Sequence, residues 1–68
     1  MYILKEDMSK MIRSKFKNTY ISNTLGLSAT YVSLVLNRHK SIPKRMAYSF
    51  TKLISSEYEI EDLFDVVD

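Results

Sequence analysis

Ser28, Ala29, Thr30, Ser33 and Leu34 are the residues of this 68-residue sequence whose types and spacing suggest chemistry, and it is a chemistry of contact. At helical spacing they share one face of a short segment, while Val32 and Val35 share the other. The hydroxyls of Thr30 and Ser33 can bond to base edges or to phosphates. A leucine at position 34, exposed among small polar neighbours, can pack against a thymine methyl in a major groove. A core or dimer-contact role is the alternative for Leu34. No Arg, Gln or Asn stands at Ala29 or Thr30, so bidentate base reading is scarce and discrimination leans on methyl contacts, shape and water.

Around that face lie residues suited to phosphate. Lys15, Lys17, Asn18 and Thr19 precede it, Asn37, Arg38, His39 and Lys40 follow it, and Lys44 and Arg45 come next. Three basic clusters bracketing one helix are the expected footprint of a chain that straddles a groove of duplex DNA. Tyr31, beside the groove face, is placed to donate to a phosphate. Tyr20, Tyr31 and Tyr48 read as half-buried packing residues with wet hydroxyls rather than as base-stacking platforms.

Covalent chemistry finds little footing. The one histidine, His39, lies between Arg38 and Lys40, and there is no cysteine. A nucleophilic serine needs an oriented base, and a single glycine cannot form a phosphate-cradling loop. The expectation is a protein that is not an enzyme and takes no cofactor and no metal.

The elements that must position these residues follow from the apolar spacing. Ile21 and Leu25 are one helical turn apart, as are Val32 and Val35/Leu36, and Gly26 stands between the two runs. A glycine there can take a positive φ after the first helix. Leu27 then plugs the corner, Ser28 caps the second helix, and small Ser22 keeps the crossing thin. This predicts helices over 19–25 and 29–37 forming a helix-turn-helix, whose second helix would lie in the groove. Ile3/Leu4, Met8, Met11/Ile12 and Phe16 predict a first helix over 2–16, with acids near its start and bases near its end. Pro43 suits the first turn of a fourth helix over 43–55, with Met46, Ala47, Phe50, Leu53 and Ile54 inward. Ile60, Leu63, Phe64 and Val67 predict a short fifth. With one Gly, one Pro and no run alternating at period two, the expected fold is all-α, a small five-helix bundle containing a helix-turn-helix.

Charge divides the chain unevenly. The first 56 residues hold all ten Lys and Arg against Glu6 and Asp7, net +8, and the last twelve hold six acids and no base, net −6. A basic body suits a polyanion, and an acidic end would be held away from it. The division predicted is 1–56 as the DNA-binding part and 57–68 as an acidic C-terminal helix that caps the core or makes a dimer contact, with folding back as an inhibitor a further option. Lys5, Glu6 and Asp7 interrupt the N-terminus early, so no signal core or membrane span is expected, and the expected location is a bacterial cytoplasm or nucleoid.

Residues 18–43 resemble the helix-turn-helix of the xenobiotic-response-element (XRE, Cro/CI-type) repressor family of phages and bacteria. The run Tyr31-Val-Ser-Leu-Val-Leu-Asn-Arg-His-Lys-Ser-Ile-Pro43 is similar to its recognition helix and following loop, and the chain matches its length and helix plan. The resemblance implies that Asn37 and Asn18 contact the DNA backbone and that base contacts fall on Ala29, Thr30, Ser33 and Leu34. The family usually has alanine where Ser22 stands, often glycine where Arg38 stands, and often glutamine where Asn18 and Ala29 lie. The expected function is a sequence-specific transcriptional regulator on double-stranded DNA, a repressor working as a homodimer. The alternatives are a phage-type interaction module holding another regulator, and an antitoxin-like chain whose acidic C-terminus meets a protein partner.

Overall fold

In the computed structural model, which describes residues 1–67, the chain runs through β1 (Tyr2–Leu4), α1 (Glu6–Lys15), α2 (Asn18–Leu25), α3 (Ala29–Leu36), α4 (Lys44–Ile54), α5 (Ile60–Leu63) and β2 (Phe64–Val66). The chain is mostly helical, and the expected all-α fold needs one correction: a small two-stranded sheet joins its two ends. The apolar spacing puts residues 2–4 in the first helix and Phe64 and Val67 in the fifth; Tyr2–Leu4 and Phe64–Val66 are instead strands. Tyr2 pairs with Val66, Ile3 with Asp65 and Leu4 with Phe64, antiparallel. Each strand is three residues long, too short for alternation to show in sequence. The physical reason for the switch is that aromatic and β-branched residues here gain cross-strand partners, whereas a one-turn extension of helix gains little.

Tyr2 also exchanges both backbone bonds with Ile42, each at 2.8 Å, so the loop before α4 lies along the other edge of β1. α1 starts on Glu6 and Asp7 and ends on Arg13 and Lys15, each sign favourable to the helix dipole at its end. In α5 the Glu59 backbone N–H donates to the Asp62 carboxylate at 2.7 Å, tying the first turn of a four-residue helix. Pro43 caps α4 from just outside rather than occupying its first turn.

One core runs through all of these elements: Leu4, Ile12, Ile21, Val32, Val35, Leu36, Ile42, Ala47, Phe50, Ile60, Leu63 and Phe64 are buried. Ile60, Leu63 and Phe64 bring the acidic end into it, and Phe64 meets Phe50 edge to face at 6.5 Å. The buried hydroxyls are all satisfied locally or across the core. Thr51 donates to the Ala47 carbonyl, Ser22 to Thr19, and Ser9 of α1 to the Leu36 carbonyl of α3. Lys52 reaches the carbonyls of Ser56 and Tyr58, which fastens the turn between α4 and α5. Among the described residues no helix is long and apolar enough to cross a membrane.

Candidate nucleic-acid interface

The presentation of α3 begins at Gly26. Its φ of 69° lets the chain turn out of α2, and the Leu27 N–H closes on the Ser22 carbonyl at 2.9 Å. A Cβ at Gly26 would meet no atom within 4 Å, so the backbone angle, not space, calls for glycine. Leu27 packs against the core, and Ser28 caps α3 by accepting the Tyr31 N–H at 3.1 Å. Burial of Val32, Val35 and Leu36 then fixes the rotation of α3.

That rotation leaves Ser28, Ala29, Thr30 and Leu34 exposed and Ser33 half-buried. Leu34 is 40% exposed and stands outside the core, so the core reading of this residue is set aside. The outward surface of α3 is thus low in relief and dominated by methyl and hydroxyl groups.

The far end of α3 is held by contacts that the sequence pattern did not single out. Asn37 donates to the Ser33 carbonyl at 2.9 Å, and its Oδ1 accepts from Arg13 Nη1 at 3.3 Å. Arg13 in turn donates its Nε to the Ser9 carbonyl, one turn back on α1. Ser9 and Arg13 therefore grip the last turn of α3 from α1. The available signal was a small polar residue on the apolar face of α1 with a base four positions on. Without the fold, nothing indicates where such a pair reaches.

Arg38 plays a role different from its neighbours. It adopts a left-handed φ of 63°, its N–H bonds to the Val35 carbonyl at 3.1 Å, and the His39 N–H bonds to the Leu34 carbonyl at 2.8 Å. This paired closure is the one for which glycine is favoured after a helix. An L-residue in that conformation carries about 1–2 kcal/mol of strain. Part of it is offset because Arg38 Nε donates to the Leu4 carbonyl of β1 at 2.8 Å. One nitrogen of this side chain is thereby committed to the fold.

The remaining phosphate candidates lie at the surface. Lys15, Lys17, Thr19, Asn37, His39, Lys40 and Lys44 are exposed, while Asn18 and Tyr31 are half-buried. Lys40 Nζ sits 5.6 Å from the centre of the Tyr31 ring, which joins the loop after α3 to the flank of α3 itself. The side-chain oxygen of Asn18, at the start of α2, is buried with no hydrogen-bond partner. The helix ends add to this charge. The first turns of α2, α3 and α4 contain no acid, and α4 opens on Lys44 and Arg45, whereas α1 and α5 open on acids. The positive ends of these three helices thus have no carboxylate in their own first turns.

Comparison with protein-family models finds no match, and neither does comparison with curated proteins or with solved structures. Among the described residues no cavity is formed and no three His, Asp or Glu side chains gather as a metal site.

Proposed function

We propose that this chain is a transcriptional regulator that binds duplex DNA through a helix-turn-helix made of α2 and α3, with α3 in the major groove. The observation that carries this reading is the exposed, acid-free outer face of α3, in a chain where exposed Lys15 and Lys17 precede the helix pair and exposed Lys40, Lys44 and Arg45 follow it. The resemblance of residues 18–43 to the XRE repressor family supports the same reading. Ser28, Ala29, Thr30, Ser33 and Leu34 face the bases. Lys15, Lys17, Asn18, Thr19, Tyr31, Asn37, Arg38, His39, Lys40 and Lys44 supply the phosphate side. Affinity comes from the cations and sequence preference from the α3 face.

Regulation on this reading needs no chemistry: a bound protein occludes polymerase, acting in the cytoplasm where the DNA is. A body of this size covers few base pairs, so a homodimer on a two-fold symmetric site is the arrangement that gives a specific operator. Selection of preferred sites from random duplexes tests the proposal directly. The expected result is a palindrome whose affinity falls with salt by about 0.9 log unit per log salt for each neutralised phosphate. Failure to retain any duplex above background at low salt would overturn it.

A further inference from the structure

We infer that the outer edge of β2 is a docking edge for an extended, lysine- or arginine-rich segment of another protein, which adds to the sheet as a new strand. The inference is independent of DNA binding and rests on the ladder and on charge.

Both edges of β1 are occupied, one by β2 and the other by Ile42 and the Arg38 side chain. Among the described residues β2 has a ladder partner on one side only. The Lys5 N–H bonds to the Leu63 carbonyl at 2.8 Å and the Val67 N–H to the Met1 carbonyl at 2.9 Å, which sets the phase of the ladder. In an antiparallel pair of that phase, Phe64 and Val66 turn their backbone groups away from β1. The Phe64 N–H is taken by the Ile60 carbonyl of α5. The Val66 N–H and carbonyl therefore form the open outer edge, while the Phe64 carbonyl turns the same way from a residue only 2% exposed. The Val66 side chain is 70% exposed beside them, the highest exposure of any large apolar residue.

Edge strands are normally blunted by short length, by charge, especially lysine, or by proline or a bulge. β2 is short, and the charge it carries is acidic: Asp65 lies within the strand, and the last twelve residues hold six acids and no base. Two copies meeting edge to edge about Val66 would oppose these like-charged segments, which is unfavourable. A basic strand meets the same edge with attraction, its backbone supplying the missing bonds. The occupant the edge suits is thus a basic extended segment and not a second copy.

The test titrates an end-blocked peptide, Lys-Val-Lys-Val-Lys-Val-Lys, into the isotopically labelled full chain and follows the backbone amides by NMR. Expected are saturable shifts centred on residues 64–67 and slowed exchange of the Val66 amide. Val66→Pro removes the outward N–H and holds φ at about −65°, a change tolerated at a strand edge. It is expected to weaken binding about tenfold, the fold-change for one lost hydrogen bond. The same peptide methylated on alternate backbone nitrogens keeps its charge, loses its bonding edge and is expected to bind comparably weakly. This second probe keeps the test decisive even if the proline variant does not fold. The inference is overturned by no binding of the basic peptide, by equal binding of the methylated peptide, or by shifts spread over the whole surface. Protection of the Val66 amide by self-association without peptide would overturn it too, in favour of a second copy.

Discussion

Arg38 Nε donates to the Leu4 carbonyl at 2.8 Å, so the residue that closes α3 is also anchored on β1. The same residue holds a left-handed φ of 63°. These two facts pull its substitutions in opposite directions. Arg38→Ala keeps the strain and loses the bond, and is expected to lower stability by about 1 kcal/mol. Arg38→Gly also loses the bond but relieves the strain, and is expected to be at least as stable as Arg38→Ala. Urea denaturation of the two variants side by side reads the order. Both remove one cation, so on the DNA-binding reading both weaken all sites alike and lower the salt slope by about 1. A loss confined to one DNA sequence would contradict the phosphate role.

Gly26 gives a simpler case. A methyl group there has room but the wrong backbone angle. Gly26→Ala is therefore expected to cost about 1–2 kcal/mol through conformation alone. Gly26→Asn, a residue more tolerant of positive φ, is expected to cost less. Thermal melts of both variants check this; equal losses would mean that the angle is not what matters.

Leu34 separates stability from recognition. Being exposed, it is expected to change stability by less than about 0.5 kcal/mol when cut to alanine. On the DNA-binding reading Leu34→Ala relaxes discrimination by about 1–3 kcal/mol at one base pair. Replacing that thymine by uracil, which deletes the methyl from the other side of the contact, is expected to weaken the parent and leave Leu34→Ala unaffected. Equal uracil sensitivity of the two proteins would remove Leu34 from the interface.

Ser9→Ala probes the grip of α1 on α3. Ser9 is buried and its hydroxyl is bonded to the Leu36 carbonyl, so the variant is expected to lose about 1–3 kcal/mol. In a denaturant titration the midpoint falls while the slope stays constant. On the DNA-binding reading Arg13→Ala leaves Asn37 held only from within α3, and affinity is expected to drop for all sequences. An unchanged affinity would show that the Arg13–Asn37 contact does not position that turn.

What was legible in the sequence is what local physics decides. Gly26 ending one helix and Ser28 capping the next could be read from residue type and spacing, because a left-handed angle and an orphan N–H each demand particular side chains. The inward stripe of α3 followed from its period. The sheet was not legible, because three-residue strands have no period and their partners lie at opposite ends of the chain. A leucine at position 4 fits the apolar spacing of α1 as well as it fits a strand. Arg38 is legible as a charge, whereas its left-handed backbone angle is not, because arginine carries no signature of positive φ. The contacts of Ser9 and Arg13 with the end of α3 join different helices and follow only from how α1 lies on α3.

The pairing of Leu4 with Phe64 joins residues sixty positions apart. Closing a loop of that length in an unstructured chain costs about 3–4 kcal/mol of entropy. Three residue pairs cannot repay that alone, so the ladder forms once the intervening helices have already brought its halves near. In kinetic terms the sheet is a clasp fastened late.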